Sequence, residues 1–322
     1  MRILVVGAGA VGGYFGGRLL EANQDVTFLV RPRRAAELAS LGLIVRSRFG
    51  DVTISQPPTI LAENLREPFD LVLLSCKAYD LEGAIESFAP AVGPNTAILP
   101  LLNGMKHMDR LDERFGPSRV LGGQCLIAAA LKPDGQIVHL NDAHFLSFGE
   151  RDGSHTARIT AIAAAFAPAR FDSRLSETIM QEMWEKWIFI ATGAGITCLM
   201  RAAIGDIVAA GASALVIKLL DECAEIATLQ GFPPRASSIE RARTTFTATG
   251  SPLTASMFRD IEQGARIEAD HVIGDLLRRG DQEPGSHPIL RIVYAHLKAY
   301  EARRERERTG KAASSPQGQA VS

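Results

Sequence analysis

The chain is poor in the residues that mark metal-binding and disulfide-rich proteins. Its 322 residues include four cysteines, Cys76, Cys125, Cys198 and Cys223, and seven histidines. The cysteines lie far apart without a Cys-x-x-Cys pair, and no His/Cys/acid cluster is visible, so the spacing indicates neither a metal site nor a disulfide framework. Because each cysteine falls in an apolar segment, we expect four small buried hydrophobic residues.

Excess charge and long hydrophobic runs are also missing. The formal net charge is −1, so nothing indicates a basic surface for nucleic acid or an anionic membrane. The longest apolar stretch, residues 187–200, is too short to span a bilayer and carries Gly193 and Gly195. The first residues read as a strand, without the basic and apolar regions of a signal peptide. We therefore expect a cytoplasmic protein with no nucleic-acid partner and no membrane partner.

The length and the pattern of apolar residues predict two domains. In the first half, short apolar runs of the kind found in buried strands alternate with helical segments, and residues 43–55 read as a β-hairpin around Phe49 and Gly50. Helical periodicity then takes over. We predict an α/β fold in which an N-terminal Rossmann-type doubly wound sheet (residues 1–172) precedes an all-α domain (173–303). Residues 304–322 are predicted to form a disordered tail.

The most informative motif is a Gly-x-Gly-x-x-Gly turn directly after the first apolar run. Gly7 permits a tight turn, Gly9 lets the backbone approach a pyrophosphate, and Gly12 lets the next helix pack against the sheet. A glycine-rich turn without a ligand is the alternative. The predicted cofactor-binding residues of this turn are Gly7, Ala8, Gly9, Ala10, Val11 and Gly12.

The residue after the second predicted strand decides between NAD and NADP. An NAD enzyme carries an acid there for the ribose 2′-hydroxyl, whereas this chain has Arg31, followed by Arg33 and Arg34. A guanidinium can form a bidentate contact with a 2′-phosphate. The alternative is a solvated basic loop. We predict NADPH/NADP+ as the cofactor.

Five further residues are candidates for chemistry. Lys77 and Asn103 each follow an apolar strand, where ligands of doubly wound sheets bind; a loop lysine and an Asn-Gly turn are the alternatives. Lys186 has mostly apolar neighbours at helical spacing, which fits a proton donor with a lowered pKa; a lysine whose stem covers apolar surface while its head reaches water is the alternative. Ser256 and Glu268 lie twelve residues apart, about 18 Å in one straight helix. A break at Gly264 could bring both to one site; the alternative for Glu268 is a solvated acid on a helix.

Taken in order, these motifs resemble the ketopantoate reductase (2-dehydropantoate 2-reductase) family along nearly the whole chain. The resemblance implies NADPH-dependent reduction of ketopantoate, a branched 2-oxo acid, in pantothenate and coenzyme A biosynthesis. It also implies a C-terminal domain like that of 6-phosphogluconate dehydrogenase, and it leaves a homodimer open. The motifs that carry the resemblance are the glycine turn, Arg31, Cys-Lys-Ala-Tyr at Lys77, Leu-Asn-Gly-Met at Asn103, Trp-Glu-Lys at Lys186, and the segments around Ser256 and Glu268.

Carried over by position, Lys186 resembles the general acid that protonates the carbonyl oxygen, and Glu268 its partner, which also holds a substrate hydroxyl. Ser256 and Asn103 are similar to substrate-contacting groups, while Lys77 and Asn103 fall where the family binds its cofactor. No metal is implied.

The chain departs from the family after its lysine, where asparagines normally follow at intervals of four. Ile190 and Ala194 stand in those places, which puts the identity of the 2-oxo acid substrate in doubt. Thr192 or Thr197 could compensate. The alternatives are a reductase of a more apolar branched 2-oxo acid and a catalytically silent NADP(H)-binding sensor, although a sensor would not need Lys186 and Glu268.

Overall fold

A computed structural model describes residues 1–281 and 285–313 of the chain, with side chains as far as residue 309. The chain forms two compact units, Met1–Met183 and Trp184–Ser322. Strands alternate with helices in the first unit, and the second unit is built from helices. This confirms the predicted fold class.

Elements of the first unit follow the apolar runs of the sequence. Its strands are β1 (Arg2–Val6), β2 (Asp25–Leu29), β3 (Leu43–Arg46), β4 (Val52–Ile54), β5 (Thr59–Ile60), β6 (Leu71–Leu74), β7 (Ala97–Pro100), β8 (Gly122–Leu131), β9 (Ile137–Gly149) and β10 (Asp172–Leu175). Its helices are α1 (Ala10–Glu21), α2 (Pro32–Leu41), α3 (Leu81–Phe88), α4 (Lys106–Phe115) and α5 (Ala157–Phe166).

A parallel five-stranded sheet forms the centre of this unit, in the order β5-β2-β1-β6-β7. The last residue of β1, Val6, pairs with Leu29 of β2 and with Leu74 of β6, and Leu74 pairs with Pro100 of β7. All residues of β6 and β7 are buried, as expected for parallel strands covered on both faces. The carboxyl ends of four neighbouring strands therefore lie side by side at one edge.

A second sheet has the order β10-β9-β3-β4, with β8 pairing with β9. The predicted hairpin is confirmed, because Leu43 of β3 lies opposite Ile54 of β4 in antiparallel register. The apolar pattern of the sequence predicts two short strands, 136–138 and 145–149, whereas the structure has the single strand β9 over this stretch. The ladder between β8 and β9 shifts register between Ile127 and Ala129, which is typical of a β-bulge.

The sequence pattern does not predict β9 as one continuous strand, because polar residues interrupt its alternation of apolar side chains. His139 and His144 are buried, and each has a polar partner: Ser47 Oγ lies 3.0 Å from His139 Nδ1, and Tyr14 Oη lies 2.8 Å from His144 Nδ1. Phe49 stacks on His144 with ring centroids 4.0 Å apart. Burial lowers the pKa of His144. These histidines are therefore structural residues of the sheet.

The first unit extends beyond the predicted domain end at residue 172. Strand β10 pairs in parallel with β9, Asp172 with Phe145 and Leu175 with Phe148, so the sheet continues past that residue. The first compact unit ends at Met183.

The second unit is organised around a long helix that begins in the first unit. Its helices are α6 (Ile179–Met200), α7 (Ile204–Ala209), α8 (Ser213–Leu229), α9 (Ala236–Phe246), α10 (Ser256–Glu262), α11 (Asp275–Gly280) and α12 (Pro288–Ala313), with a π-helical turn at Asp270–Gly274.

Glycines let neighbouring helices approach α6 closely. A Cβ on Gly193 would lie 3.0 Å from the Phe246 ring of α9, and one on Gly195 would lie 3.0 Å from Leu219 of α8. Residues 191–198 are all buried, which is expected of a helix that is apolar all round. In the described ranges, no helix is both long enough and apolar enough to cross a membrane.

The cysteines occur as free thiols, three of them buried and Cys76 half-buried. Burial raises the pKa of Cys198 and of Cys223 to about 12. Among the residues that the structure describes, no group of His, Cys, Asp and Glu could hold a metal ion.

Helix α12 continues into the predicted tail, so residues 304–313 are helical. Ion pairs at helical spacing support this end, between Arg303 and Glu307 and between Arg308 and Glu305. Arg304 Nε also donates to the carbonyl oxygen of Gly264 at 2.7 Å. Residues 314–322 of the predicted tail lie outside the described residues.

Two helical glycines, Gly12 of α1 and Gly83 of α3, test the packing of α1 against the glycine-rich turn that follows β1. A Cβ on Gly12 would lie 2.1 Å from the Gly7 carbonyl oxygen, whereas one on exposed Gly83 of α3 would meet no described atom within 4 Å. We expect Gly12→Ala to lower the free energy of unfolding by about 1–3 kcal/mol through overpacking. Gly83→Ala should raise it by about 0.5–1 kcal/mol, because alanine favours helix. Urea unfolding followed by circular dichroism measures both, and equal midpoints would contradict this account of Gly12.

Candidate active site

The internal geometry of the turn after β1 requires glycine at two of its three glycine positions. Gly7 has φ +95°, a left-handed conformation that favours glycine, and its N–H donates to the Leu29 carbonyl oxygen at 3.0 Å. At Gly12 a Cβ would collide with the Gly7 carbonyl oxygen and with Ser75 Oγ, each 2.1 Å away. The close packing of α1 on the turn therefore requires the first and third glycines.

Internal packing gives no reason for the middle glycine. A Cβ on Gly9 would meet none of the described atoms within 4 Å, and its φ of −84° suits any residue. Gly9 is also the N-cap of α1, and in the described part of the chain no side chain caps that helix. The open space, the uncapped N–H groups and the helix dipole together fit the pyrophosphate of a dinucleotide. The flanking residues Ala10 and Val11 are half-buried, while Ala8 is buried.

Two residues that the motif does not include hold this turn in place. Ser75 Oγ donates to the Val6 carbonyl oxygen at 3.0 Å, and Arg34 Nε donates to the Ala8 carbonyl oxygen at 3.0 Å. The side chain of Arg34 is only 13% exposed. The sequence analysis predicted neither role. A signal for Arg34 exists, because it lies on α2 three residues after Arg31, a spacing that places two side chains on the same side of a helix.

Arg31 lies at the predicted position, immediately before α2, and it has an acidic partner. Its Nη2 is 3.0 Å from Asp80 Oδ1, and the two side chains are 74% and 30% exposed. Asp80 belongs to a 3-10 turn, Ala78–Asp80, that follows β6. Because β2 and β6 flank β1, this ion pair crosses the carboxyl end of β1, where the glycine turn begins. The neighbouring Arg33 is 91% exposed and pairs with Glu37.

Lys77 and Asn103 follow the next two strands at the same edge. Lys77 is exposed, and its carbonyl oxygen accepts from the Asp80 N–H at 2.9 Å. Asn103 is half-buried and precedes Gly104, which has φ +77°. The structure thus gathers the glycine turn, Arg31, Lys77 and Asn103 at the carboxyl edge of one parallel sheet.

In the second unit, Lys186 is half-buried on α6, and Ile190 is half-buried one turn later. The adjacent residue Glu185 is 6% exposed and binds Arg235, with Nη2 to Oε2 at 2.7 Å and the backbone N–H to Oε1 at 2.9 Å. Arg235 is the N-cap of α9. This contact joins α6, next to Lys186, to the beginning of α9.

The residue after Lys186 connects α6 to the segment that carries Glu268. Trp187 Nε1 donates to the Val272 carbonyl oxygen at 2.8 Å, and both residues are 1% exposed. The Val272 N–H in turn donates to the Glu268 carbonyl oxygen at 2.9 Å, and Glu268 is half-buried. Sequence reasoning missed Trp187, because nothing in its local pattern indicates a partner so distant in the chain.

Ser256 is attached to the same helix at its other end. The N–H of Ala255 donates to Thr197 Oγ1 at 3.4 Å, and the exposed Ser256 begins α10. The predicted break at Gly264 is confirmed: α10 ends at Glu262 and Gly264 has φ +66°. Ser256 and Glu268 therefore belong to separate segments, each hydrogen-bonded to α6.

The two threonines that could compensate for the missing amides use their hydroxyl groups within α6. Thr192 Oγ1 donates to the Ile188 carbonyl oxygen at 2.9 Å, and Thr197 Oγ1 donates to the Gly193 carbonyl oxygen at 2.7 Å. Both side chains are fully buried, and Ala194 is only 2% exposed. Of the two departures from the family pattern, Ile190 alone retains appreciable exposure.

Models of one known family match the chain in both units. Residues 3–153 match the family model described as "Ketopantoate reductase PanE/ApbA", and residues 178–301 match its C-terminal model, "Ketopantoate reductase PanE/ApbA C terminal". The chain belongs to the ketopantoate reductase family. It is an oxidoreductase of a family that binds NAD(P)H.

Among its relatives is the "Uncharacterized oxidoreductase YkpB" of Bacillus subtilis, 38% identical over 94% of this chain and 99% of that protein. A 2-dehydropantoate 2-reductase from Methylococcus capsulatus has a similar crystal structure, with a TM-score of 0.84 and 26% identity over 94% of this chain and 98% of that one. D-mandelate dehydrogenase with NADH and anilino(oxo)acetate shares the fold, with a TM-score of 0.83 and 21% identity over 95% of this chain and all of that one.

Proposed function

We propose that this ketopantoate reductase family member reduces 2-dehydropantoate (ketopantoate) to pantoate with NADPH, in the biosynthesis of pantothenate and coenzyme A. The observation that supports this most is the Trp187–Val272 hydrogen bond of 2.8 Å. It ties the helix bearing Lys186, a candidate general acid, to the segment bearing Glu268, a candidate partner for that acid. A catalytically silent sensor would need neither residue.

In the proposed reduction of a ketone, each candidate residue has a separate role. The nicotinamide, when bound, supplies a hydride to the carbonyl carbon. The ammonium of Lys186 stabilises the negative charge that develops on the carbonyl oxygen and then donates its proton to that oxygen. Glu268 orients Lys186 and accepts a hydrogen bond from the substrate hydroxyl, and Ser256 and Asn103 contact the substrate.

The cofactor would be held by the carboxyl edge of the parallel sheet. The N–H groups that begin α1 would bind the pyrophosphate, with Gly9 leaving room for its approach. Arg31 would bind the 2′-phosphate, which makes NADPH the preferred cofactor. Lys77 and Asn103 follow neighbouring strands and would contact the same molecule.

A second candidate substrate is a more apolar branched 2-oxo acid. The half-buried Ile190 favours it, because an aliphatic side chain offers no partner for the hydroxyl of ketopantoate. An NADPH-oxidation assay with ketopantoate and 2-oxoisovalerate separates the two candidates. A higher kcat/KM for ketopantoate supports the first, and a higher value for 2-oxoisovalerate supports the second.

Replacement of Lys186 tests the proton donor. Lys186→Ala should lower kcat by about 10²–10⁴, the usual range for loss of a general acid, while the dissociation constant of NADPH changes little. The matched control is Lys218→Ala, which removes an exposed lysine of α8 and should leave kcat unchanged. Near-normal turnover in Lys186→Ala would remove this residue from the mechanism.

Replacement of Ile190 tests the substrate pocket. Ile190→Asn should raise the ratio of kcat/KM for ketopantoate to kcat/KM for 2-oxoisovalerate. The increase should correspond to a difference in activation free energy of about 1–3 kcal/mol, the scale of one buried hydrogen-bonding group. The control Ile190→Val keeps the position apolar and should leave the ratio near that of the wild type. An unchanged or lower ratio in Ile190→Asn would mean that this position does not face the substrate hydroxyl.

Replacement of Arg31 tests the cofactor preference. Arg31→Ala should weaken NADPH binding by about 1.5–3 kcal/mol, the range for a charge-assisted hydrogen bond, and should affect NADH binding much less. Arg33→Ala removes a neighbouring arginine that pairs with Glu37, and it should change neither dissociation constant. Titration calorimetry measures both cofactors, and an equal loss of NADPH and NADH affinity in Arg31→Ala would contradict the assignment.

A further inference from the structure

Asp80 uses its side chain in an unusual way for its position. It is the N-cap residue of α3, where an aspartate normally accepts a hydrogen bond from the first turn of its helix. Within the residues that the structure describes, its side chain makes no such cap. Its Oδ1 lies instead 3.0 Å from Arg31 Nη2. The carboxylate therefore binds Arg31, which follows β2, and does not bind the N–H groups at the beginning of its own helix.

We propose that Asp80 sets how strongly this enzyme prefers NADPH to NADH, by competing with the 2′-phosphate for Arg31. This inference rests on the proposed role of Arg31 in cofactor binding. The pair lies across the carboxyl end of β1, so the carboxylate occupies the neighbourhood in which the ribose of a bound dinucleotide is expected.

The competition is electrostatic and affects the two cofactors differently. A 2′-phosphate has to draw the guanidinium away from Asp80, and it then remains close to a second negative charge. A ribose 2′-hydroxyl carries no charge and can donate to the carboxylate. Asp80 thus supplies, from the end of β6, the acid that is missing from the end of β2, so it disfavours NADPH and favours NADH.

The exposure of the pair indicates that the competition is moderate. The side chain of Arg31 is 74% exposed and that of Asp80 30% exposed, so solvent screens their attraction, and exposed pairs of this kind are weak. NADPH can therefore displace Asp80 and still bind. The carboxylate tunes the preference without abolishing NADPH binding.

The test compares dissociation constants of NADPH and NADH, measured by titration calorimetry without substrate. Asp80→Asn should tighten NADPH binding by about two- to fivefold, the range for release of one exposed ion pair, and should weaken NADH binding or leave it unchanged. The gain for NADPH should shrink in about 1 M salt, where the Debye length falls to about 3 Å. It should also be smaller in an Arg31→Ala background, which removes the group for which Asp80 competes.

The matched control removes the same charge two residues away. Glu82 is an exposed carboxylate of α3 that binds Arg110, with Oε1 2.8 Å from Nε, and Glu82→Gln should leave the ratio of the two dissociation constants unchanged. An unchanged ratio in Asp80→Asn, or an equal change in Glu82→Gln, would overturn the role of Asp80. If Arg31→Ala still lowers the preference for NADPH, the proposed cofactor site survives that result. If the wild type binds neither dinucleotide, both proposals fail.

Discussion

The burial of α6 is the constraint on which the second unit depends. Its middle is enclosed on all sides, and the side-chain polar atoms of its Trp187 and Thr197 have partners inside the protein. Buried polar groups left without partners are costly, so these bonds give α6 a defined rotation and position. The segments that carry Glu268 and Ser256 are attached to it by two of them. Lys186 therefore lies on a helix that is hydrogen-bonded to the segments of both Glu268 and Ser256.

Much of the fold could be predicted because it depends on local patterns. Apolar runs with glycine between them predict parallel strands and a turn, and the structure has β1 and α1 at these places. The continuity of β9 could not be predicted in this way. Its buried histidines have polar partners in Tyr14 and Ser47, and these two residues lie far away in the chain.

The candidate site divides in the same way between local and distant interactions. Gly264 signals a break in its own helix, and the positions of Lys186 and Arg31 follow from motifs read along the chain. The bond from Trp187 to Val272 joins residues 85 positions apart, and the pair of Arg31 with Asp80 depends on the order of strands in the sheet. Such contacts become visible only when the strands and helices are assembled in space.

The contrast between Gly9 and Gly12 has a consequence for how this chain can change in evolution. Any side chain at position 12 meets backbone, so selection for a folded protein acts there in every descendant. A Cβ at position 9 meets none of the described atoms within 4 Å, so packing around that Cβ gives no reason to preserve glycine there, whereas close approach of a dinucleotide does. A descendant that kept the fold but lost its dinucleotide would be free to vary at position 9 while keeping Gly12. The two positions together thus record separately whether a lineage has retained its architecture and whether it has retained its cofactor.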